Sequence, residues 1–429
     1  MTFSFLTFGC KVNQYETEAL KEALAQHGER EALPGEEADL YFVNTCAVTG
    51  MSERKDRKAV SDLLRDHPKS RVVVFGCSAQ LHPEAYGKHP NVLLLSGDDR
   101  KKALLSLLEE GRIPEEKKSP RLFDYDDLPL AKGVYPTRSV LKIQDGCDRF
   151  CSYCVIPFCR GRSRSRRKNE VLSEARRLLS SGVKELVVSG IDVGDYHDPE
   201  DPSYGLASLL SDLSGLPFPS YRIRVSSWEV SEIGKDALSA YLLHPGVLVP
   251  HFHLPLQSGS NKVLKAMNRP YTAEEFLRTV EDIRSLLPDA VFSSDVITGF
   301  PGERAEDFAN TLEVCRKAGF FRIHAFPYSE RPGTKASRIT EGKVPVVERR
   351  RRVKVLNDLS QEGEIALREK EASRTIRVLL DVEKEDGFYG YSDSYLLYRV
   401  GKEGHKVGDF VLLSPRPGID FPAGFPYNS

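Results

Sequence analysis

The chain has 429 residues, enough for two or three domains with ample buried core. Charged residues make up 29% and hydrophobic ones 40%, with a formal net charge of -1; this balance suits an ordinary soluble protein and carries no nucleic-acid signal. The eight cysteines are scattered or gathered in one cluster, which excludes a dense disulfide framework and suits metal binding or reduced thiols in a cytoplasmic protein.

Residues 1–125 alternate strand and helix. Strands are expected at Phe3 to Phe8, Leu40 to Asn44, Arg71 to Phe75 and Asn91 to Leu95, with helices near Glu16 to Gln26, Ser52 to Arg65 and Arg100 to Glu109. This is a parallel, doubly wound α/β pattern, in which sites lie at the carboxyl ends of strands. A cysteine follows each of the first three strands: Cys10, Cys46 and Cys77. All three then fall on one edge of the sheet and can converge. The bland alternative is three buried core cysteines, but core positions have no reason to recur at the same point of each unit. The N-terminus lacks a basic leader, and no apolar run approaches the ~18 residues of a membrane span, so neither secretion nor a membrane anchor is expected. Residues 111–136 are polar and contain proline, as a linker would.

From Thr137 to about Ser329 six strand-helix units recur, which fits a partial (β/α)6 barrel with its site at the strands' carboxyl ends. The first strand, Ser139 to Gln144, leads into Gly146-Cys147-Asp148-Arg149-Phe150-Cys151-Ser152-Tyr153-Cys154. Three cysteines so close can turn onto one centre. A 4Fe-4S cubane held by three thiolates keeps one iron open for a ligand other than protein. Structural zinc usually takes paired CxxC-like spacings, and no second pair is present. Cys159 could in principle close the site. Polar motifs follow later strands: Ser189-Gly190, Ser226-Ser227-Trp228-Glu229, Gln257-Ser258-Gly259-Ser260 and Thr298-Gly299-Phe300-Pro301-Gly302-Glu303. Each alone could be a plain turn. His251, His253 and His324 are expected to be satisfied core or hydrogen-bonding histidines. The run from Arg160 to Lys168 has six basic residues in nine; it is either a solvated face or a phosphate contact.

Residues 343–372 are charged and helix-prone, a connector helix. From Arg374 short strands and glycine turns suggest a small barrel, in which Tyr391, Tyr395 and Tyr398 either stack on bases or fill the core.

The CxxxCxxC stretch, with Tyr153 before its last cysteine, resembles the signature of the radical S-adenosylmethionine (SAM) enzymes. The sequences around Cys10, Cys46 and Cys77 resemble the three motifs of the methylthiotransferase N-terminal domain, and the tail is similar to a TRAM domain, an OB-like RNA-binding module. The resemblance implies three domains: 1–125 with an auxiliary 4Fe-4S cluster on Cys10, Cys46 and Cys77; 137–365 as the radical SAM core with a cluster on Cys147, Cys151 and Cys154; and 372–429 as TRAM. It further implies S-adenosyl-L-methionine as cofactor, with Gly190, Glu229, Gln257 and Asp295 as contacts, and an electron donor such as a flavodoxin or ferredoxin. Cys159 departs from the small residue usual there and is expected to be a spectator. The stretch from Gly9 to Glu16 resembles the subgroup that acts on N6-threonylcarbamoyladenosine beside the tRNA anticodon. The expected partner is therefore the tRNA anticodon arm. Siblings acting on isopentenyladenosine or a ribosomal-protein aspartate, and an RNA-binding protein with structural clusters, are the alternatives.

Overall fold

The computed structural model describes residues 1–95, 100–110, 125, 128–130, 133 and 135–421. Most of the expected linker at 111–136 lies outside the described residues. The N-terminal sheet has five parallel strands, β1 (Thr2–Thr7), β2 (Arg30–Glu31), β3 (Leu40–Thr45), β4 (Arg71–Gly76) and β5 (Val92–Leu94), in the order β2-β1-β3-β4-β5. Helices α1 (Lys11–Gln26), α2 (Gly50–Asp66), α3 (Cys77–Leu81) and α4 (Arg100–Glu110) alternate with them. Because helices cover both faces, β3 and β4 are apolar without interruption over Leu40 to Val43 and Val72 to Phe75.

The second unit begins with β6 (Arg138–Lys142) and a short antiparallel pair, β7 (Gln144–Asp145) and β8 (Arg164–Ser165). β9 (Glu185–Ser189), a small hairpin of β10 (His197–Asp198) and β11 (Asp201–Gly205), and then β12 (Arg222–Val225), β13 (His251–His253), β14 (Val291–Thr298) and β15 (Phe320–Pro327) follow. β6, β9 and β12 pair in parallel, as do β13, β14 and β15, and bridges at Ile223–Leu248 and Ser227–His253 join the halves. Six parallel strands in chain order thus make the partial barrel, with α5 (Ile156–Cys159), α6 (Lys168–Ser180), α7 (Leu206–Ser214), α8 (Lys235–Leu243), α9 (Asn261–Ala266), α10 (Ala273–Leu286) and α11 (Ala305–Ala318) in the connections.

Side chains alternate across these strands. Ile223, Val225, Phe252, Phe292, Val296 and Ile323 join the core beneath the helices. The residues between them, Arg222, Arg224, His251, His253, Asp295, Arg322 and His324, therefore face the barrel interior. Barrel interiors of this architecture are ordinarily filled by branched apolar side chains. This one is charged.

Helix α12 (Val346–Ala372) packs along β15 and leads to β16 (Ile376–Lys384), β17 (Gly387–Ser392), β18 (Leu397–Val400) and β19 (Phe410–Leu413), an antiparallel sheet in the order β18-β17-β16-β19. Between β17 and β18 the chain makes a tight turn in which Tyr395 takes φ 67°. The module docks on the starts of the barrel strands. Arg222 donates to Asp393 (2.9 Å) and to the Tyr391 carbonyl (3.1 Å), and Arg224 donates to the Asp393 carbonyl (3.0 Å).

Candidate functional site

Cys10, Cys46 and Cys77 follow β1, β3 and β4, which are neighbours in the sheet, and the three sulfurs act on one another electrostatically. A hydrogen-bond web beneath them sets the loops. Asn13 Nδ2 donates to Asn44 Oδ1 (2.8 Å) and to the Thr45 carbonyl (3.1 Å), and the Cys10 thiol donates to Asn13 Oδ1 (3.4 Å). Thr45 donates to the Phe75 carbonyl (2.6 Å), while the Cys46 N–H reaches Asp56 (2.8 Å). Gly76 has φ 92°, and a Cβ there would lie 2.6 Å from the Thr45 carbonyl oxygen, so only glycine lets β4 turn into Cys77 beside β3. Burial pushes the Cys46 thiol up to about 12. The Cys77 thiol is lowered to about 6, by its hydrogen bond with Cys159 first and, against its burial, by the Arg160 cation as well.

Cys147, Cys151 and Cys154 likewise act on one another at the carboxyl end of β6. The loop is held from several sides. Asn268 donates to the Arg149 carbonyl (3.1 Å), the Ser152 N–H to the Met267 carbonyl (2.9 Å), and the Ala336 N–H to the Ser152 carbonyl (2.7 Å). Gly146 has φ 73°, and any Cβ would overlap the Arg162 carbonyl. Charged side chains that sequence reasoning missed touch the sulfurs: the Cys147 thiol faces Asp192 (3.7 Å), which also takes Arg149 (3.1 Å), and Arg269 donates to Cys151 Sγ (3.3 Å). Asp192 carried one sequence signal, charge beside the polar strand end at Ser189-Gly190, whereas Arg269, between α9 and α10, carried none. Among the described residues, no three His, Cys, Asp or Glu side chains are placed to share a single metal ion. Each triplet offers three thiols, the number that holds a cubane with each thiolate on a different iron, and each has one further group beside it, Asp192 at Cys147 and Cys159 at Cys77.

The two triplets meet across one buried network. Arg160, 3% exposed, donates to Glu16 (2.8 and 3.2 Å), Asp145 (3.1 Å), Asn13 Oδ1 (3.1 Å) and Cys77 Sγ (3.2 Å). Lys142 reaches the same carboxylates, Glu16 at 3.1 Å and Asp145 at 2.7 Å. Asn13 and Glu16 thus lock α1 to the cysteine loop of the barrel. The basic run divides accordingly. Arg160 and Arg166, the latter paired with Glu174 at 2.6 Å, are buried structural ions, so a phosphate contact is excluded for them, whereas Arg162 and Arg167 are exposed. Cys159 does not face the barrel triplet alone. It packs with Cys77, Ala47 and Val155, and its thiol hydrogen-bonds Cys77.

Gly190, Glu229, Gln257 and Asp295 all belong to the strand ends or interior of the barrel. Gly190 lies against Gln144, whose Oε1 accepts from the Ile191 and Asp192 N–H groups (2.9 and 2.8 Å). Glu229 pairs with Arg269 and so connects to Cys151. Gln257 takes φ 62° and its N–H donates to the Asp295 carbonyl (2.8 Å). Asp295 pairs with His253 (3.3 Å) inside the barrel, where its side chain is still 30% exposed. Ser293 joins His251 (3.1 Å) and His253 (3.0 Å), the hydrogen-bonding role expected for these histidines. Burial, chiefly, lowers His324 to about 4. Tyr398 is core, its hydroxyl on Glu371 (2.6 Å), while Tyr391 and Tyr395 stack at 5.1 Å against the barrel rather than facing outward.

The description "Radical SAM superfamily" matches residues 141–315, and "Uncharacterized protein family UPF0004" matches residues 2–97. The threonylcarbamoyladenosine tRNA methylthiotransferase MtaB of Bacillus subtilis is 35% identical over the whole of this chain and 95% of its own length. The chain belongs to the methylthiotransferase family of radical SAM enzymes. It is a transferase, and enzymes of this family use 4Fe-4S clusters and S-adenosyl-L-methionine. A tRNA-2-methylthio-N(6)-dimethylallyladenosine synthase of Jannaschia is 34% identical over 87% of this chain and 82% of its own. Among solved structures, the radical SAM methyltransferase TsrM of Kitasatospora setae, with cobalamin and a [4Fe-4S] cluster bound, superposes with TM-score 0.55 at 15% identity over 78% of this chain and 76% of its own, which shows a shared fold.

Proposed function

We propose that this methylthiotransferase converts N6-threonylcarbamoyladenosine, next to the anticodon of tRNA, to its 2-methylthio derivative. Full-length likeness to the B. subtilis enzyme of that name carries the reading. Cys147, Cys151 and Cys154 would hold one 4Fe-4S cluster and Cys10, Cys46 and Cys77 a second; with S-adenosyl-L-methionine bound, these groups supply radical generation and the sulfur to be transferred.

The chain's own residues do the rest. Gly190, Glu229, Gln257 and Asp295 are the proposed contacts of the cofactor at the mouth and interior of the barrel. Arg160, Glu16 and Asn13 hold the two cysteine sites in fixed relation. Cys159 stays a spectator of the barrel site, because its thiol is already engaged with Cys77. The N-terminal domain packs α1 against the edge strand β6, and the C-terminal module, read as TRAM, docks on the starts of the barrel strands; cover of this kind would keep bulk water from a reactive radical. The exposed Arg162 and Arg167, paired at the surface with Asp148 (3.0 Å) and Glu200 (3.4 Å), would exchange those partners for tRNA phosphates near the site. Among the described residues no helix is long and apolar enough to cross a membrane; a cytoplasmic enzyme served by a flavodoxin or ferredoxin suits a tRNA substrate. Mass spectrometry of nucleosides from a deletion strain tests the reading. Loss of 2-methylthio-N6-threonylcarbamoyladenosine is expected; loss of the isopentenyl counterpart alone, or of a ribosomal-protein methylthio group alone, would overturn it.

A further inference from the structure

Among the described residues, one cation at the charged barrel interior is in no direct ion pair. Arg224 is matched by Glu185 (3.2 Å), Arg322 by Glu364 (3.7 Å), and Lys142 by Glu16 and Asp145. Asp295 is taken by His253. Lys11 enters from the first turn of α1, directly after Cys10, and is half-buried. Its Nζ lies 6.0 Å from the Tyr395 ring centre, and its charge is felt at Asp295, His324, His251 and Tyr395, the walls of the interior. Among the described residues it makes no hydrogen bond and no ion pair. A partly desolvated ammonium held only by a ring contact and a distant carboxylate is costly, and such groups mark places where an anion from outside completes the site.

We infer that Lys11 is the anchor for the carboxylate of the N6-threonylcarbamoyl side chain, and that this contact separates the substrate from an adenosine whose N6 group is uncharged. The inference rests on the substrate proposed above. On the adenine ring, C2 and C6, which bears N6, flank the same nitrogen, N1. A ligand that offers C2 to the site of Cys10 therefore carries its N6 chain a few ångströms away, where Lys11 is the next residue. An isopentenyl chain would leave the ammonium unpaired, and a site with a polar group left unpaired rejects the analogue lacking its partner far more strongly than an apolar pocket does.

The test is equilibrium binding of anticodon stem-loop RNAs to the reconstituted full-length protein without reductant, so that no turnover occurs. Three stem-loops are compared: threonylcarbamoyladenosine, its neutral methyl ester, and isopentenyladenosine. Wild-type protein should bind the acid roughly 10- to 100-fold tighter than the ester, the range of a charged hydrogen bond. Lys11→Met should bind acid and ester equally, and Lys11→Arg should keep part of the preference. Equal binding of acid and ester by the wild type, or a preference that survives in Lys11→Met, would overturn the role of Lys11 while the substrate reading stood. With reductant added, methylthiolation of the isopentenyl stem-loop and none of the threonylcarbamoyl one would overturn the substrate reading and the anchor with it.

Discussion

Replacing Arg160 with leucine distinguishes a buried structural ion from a tRNA contact. The guanidinium is 3% exposed and serves Glu16 and Asp145, which are themselves buried. Removing one partner of a buried pair costs about 3–5 kcal/mol, since a charge is left uncompensated. Here Lys142 still reaches both carboxylates and Arg164 lies 3.5 Å from Asp145, so the lower end, about 3 kcal/mol, applies. At roughly 2–4 °C per kcal/mol for a unit of domain size, the melting temperature should fall by about 6–12 °C. Calorimetry of the apo chain measures this. Glu16→Gln added to Arg160→Leu removes one orphaned charge and should recover part of the loss. In parallel, the salt dependence of tRNA binding should keep its slope in Arg160→Leu, whereas in Arg162→Ala it should become shallower by roughly 0.7–0.9 for each phosphate no longer neutralised. An unshifted melting temperature together with a shallower salt slope for Arg160→Leu would refute the reasoning.

Two further outcomes are expected. Reconstituted protein should hold roughly eight irons if each triplet carries a cubane; alanine at Cys147, Cys151 and Cys154 should halve iron and end cleavage of S-adenosylmethionine, alanine at Cys10, Cys46 and Cys77 should halve iron and spare cleavage, and Cys159→Ala should lose none. Loss of all iron from either triple variant would contradict two independent sites. Glu185 is fully buried, which alone would raise its carboxyl, but Arg222, Arg224 and Arg138 hold it well below the usual range. A depressed folded value means stability present above the unfolded value of about 4.3 and lost as pH falls below it; melting temperatures should drop below that pH in the wild type and much less in Glu185→Gln, and superimposable pH profiles would contradict this.

The domain order and both cysteine triplets were legible in the amino-acid sequence because each depends on local rules. Spacing alone brings Cys147, Cys151 and Cys154 together, and parallel strand-helix alternation sends the ends of β1, β3 and β4 to one edge, whatever the side chains elsewhere. Tertiary structure decided what depends on partners far away in the chain. Arg160, Arg162 and Arg166 are alike in sequence, but Glu16 and Glu174 capture only the first and last, and burial follows the partner. The tyrosines of the C-terminal module had two readings, base stacking and, slightly favoured, barrel core, until docking turned Tyr391 and Tyr395 toward the barrel. Cys159 faces Cys77 because α5 lies against α3, a contact between residues 82 positions apart. Lys11 stood in the sequence only as part of the stretch from Gly9 to Glu16. Only the seating of α1 against β6 carries it to the interior of a barrel whose strands, by their period of two, had already turned their charges inward.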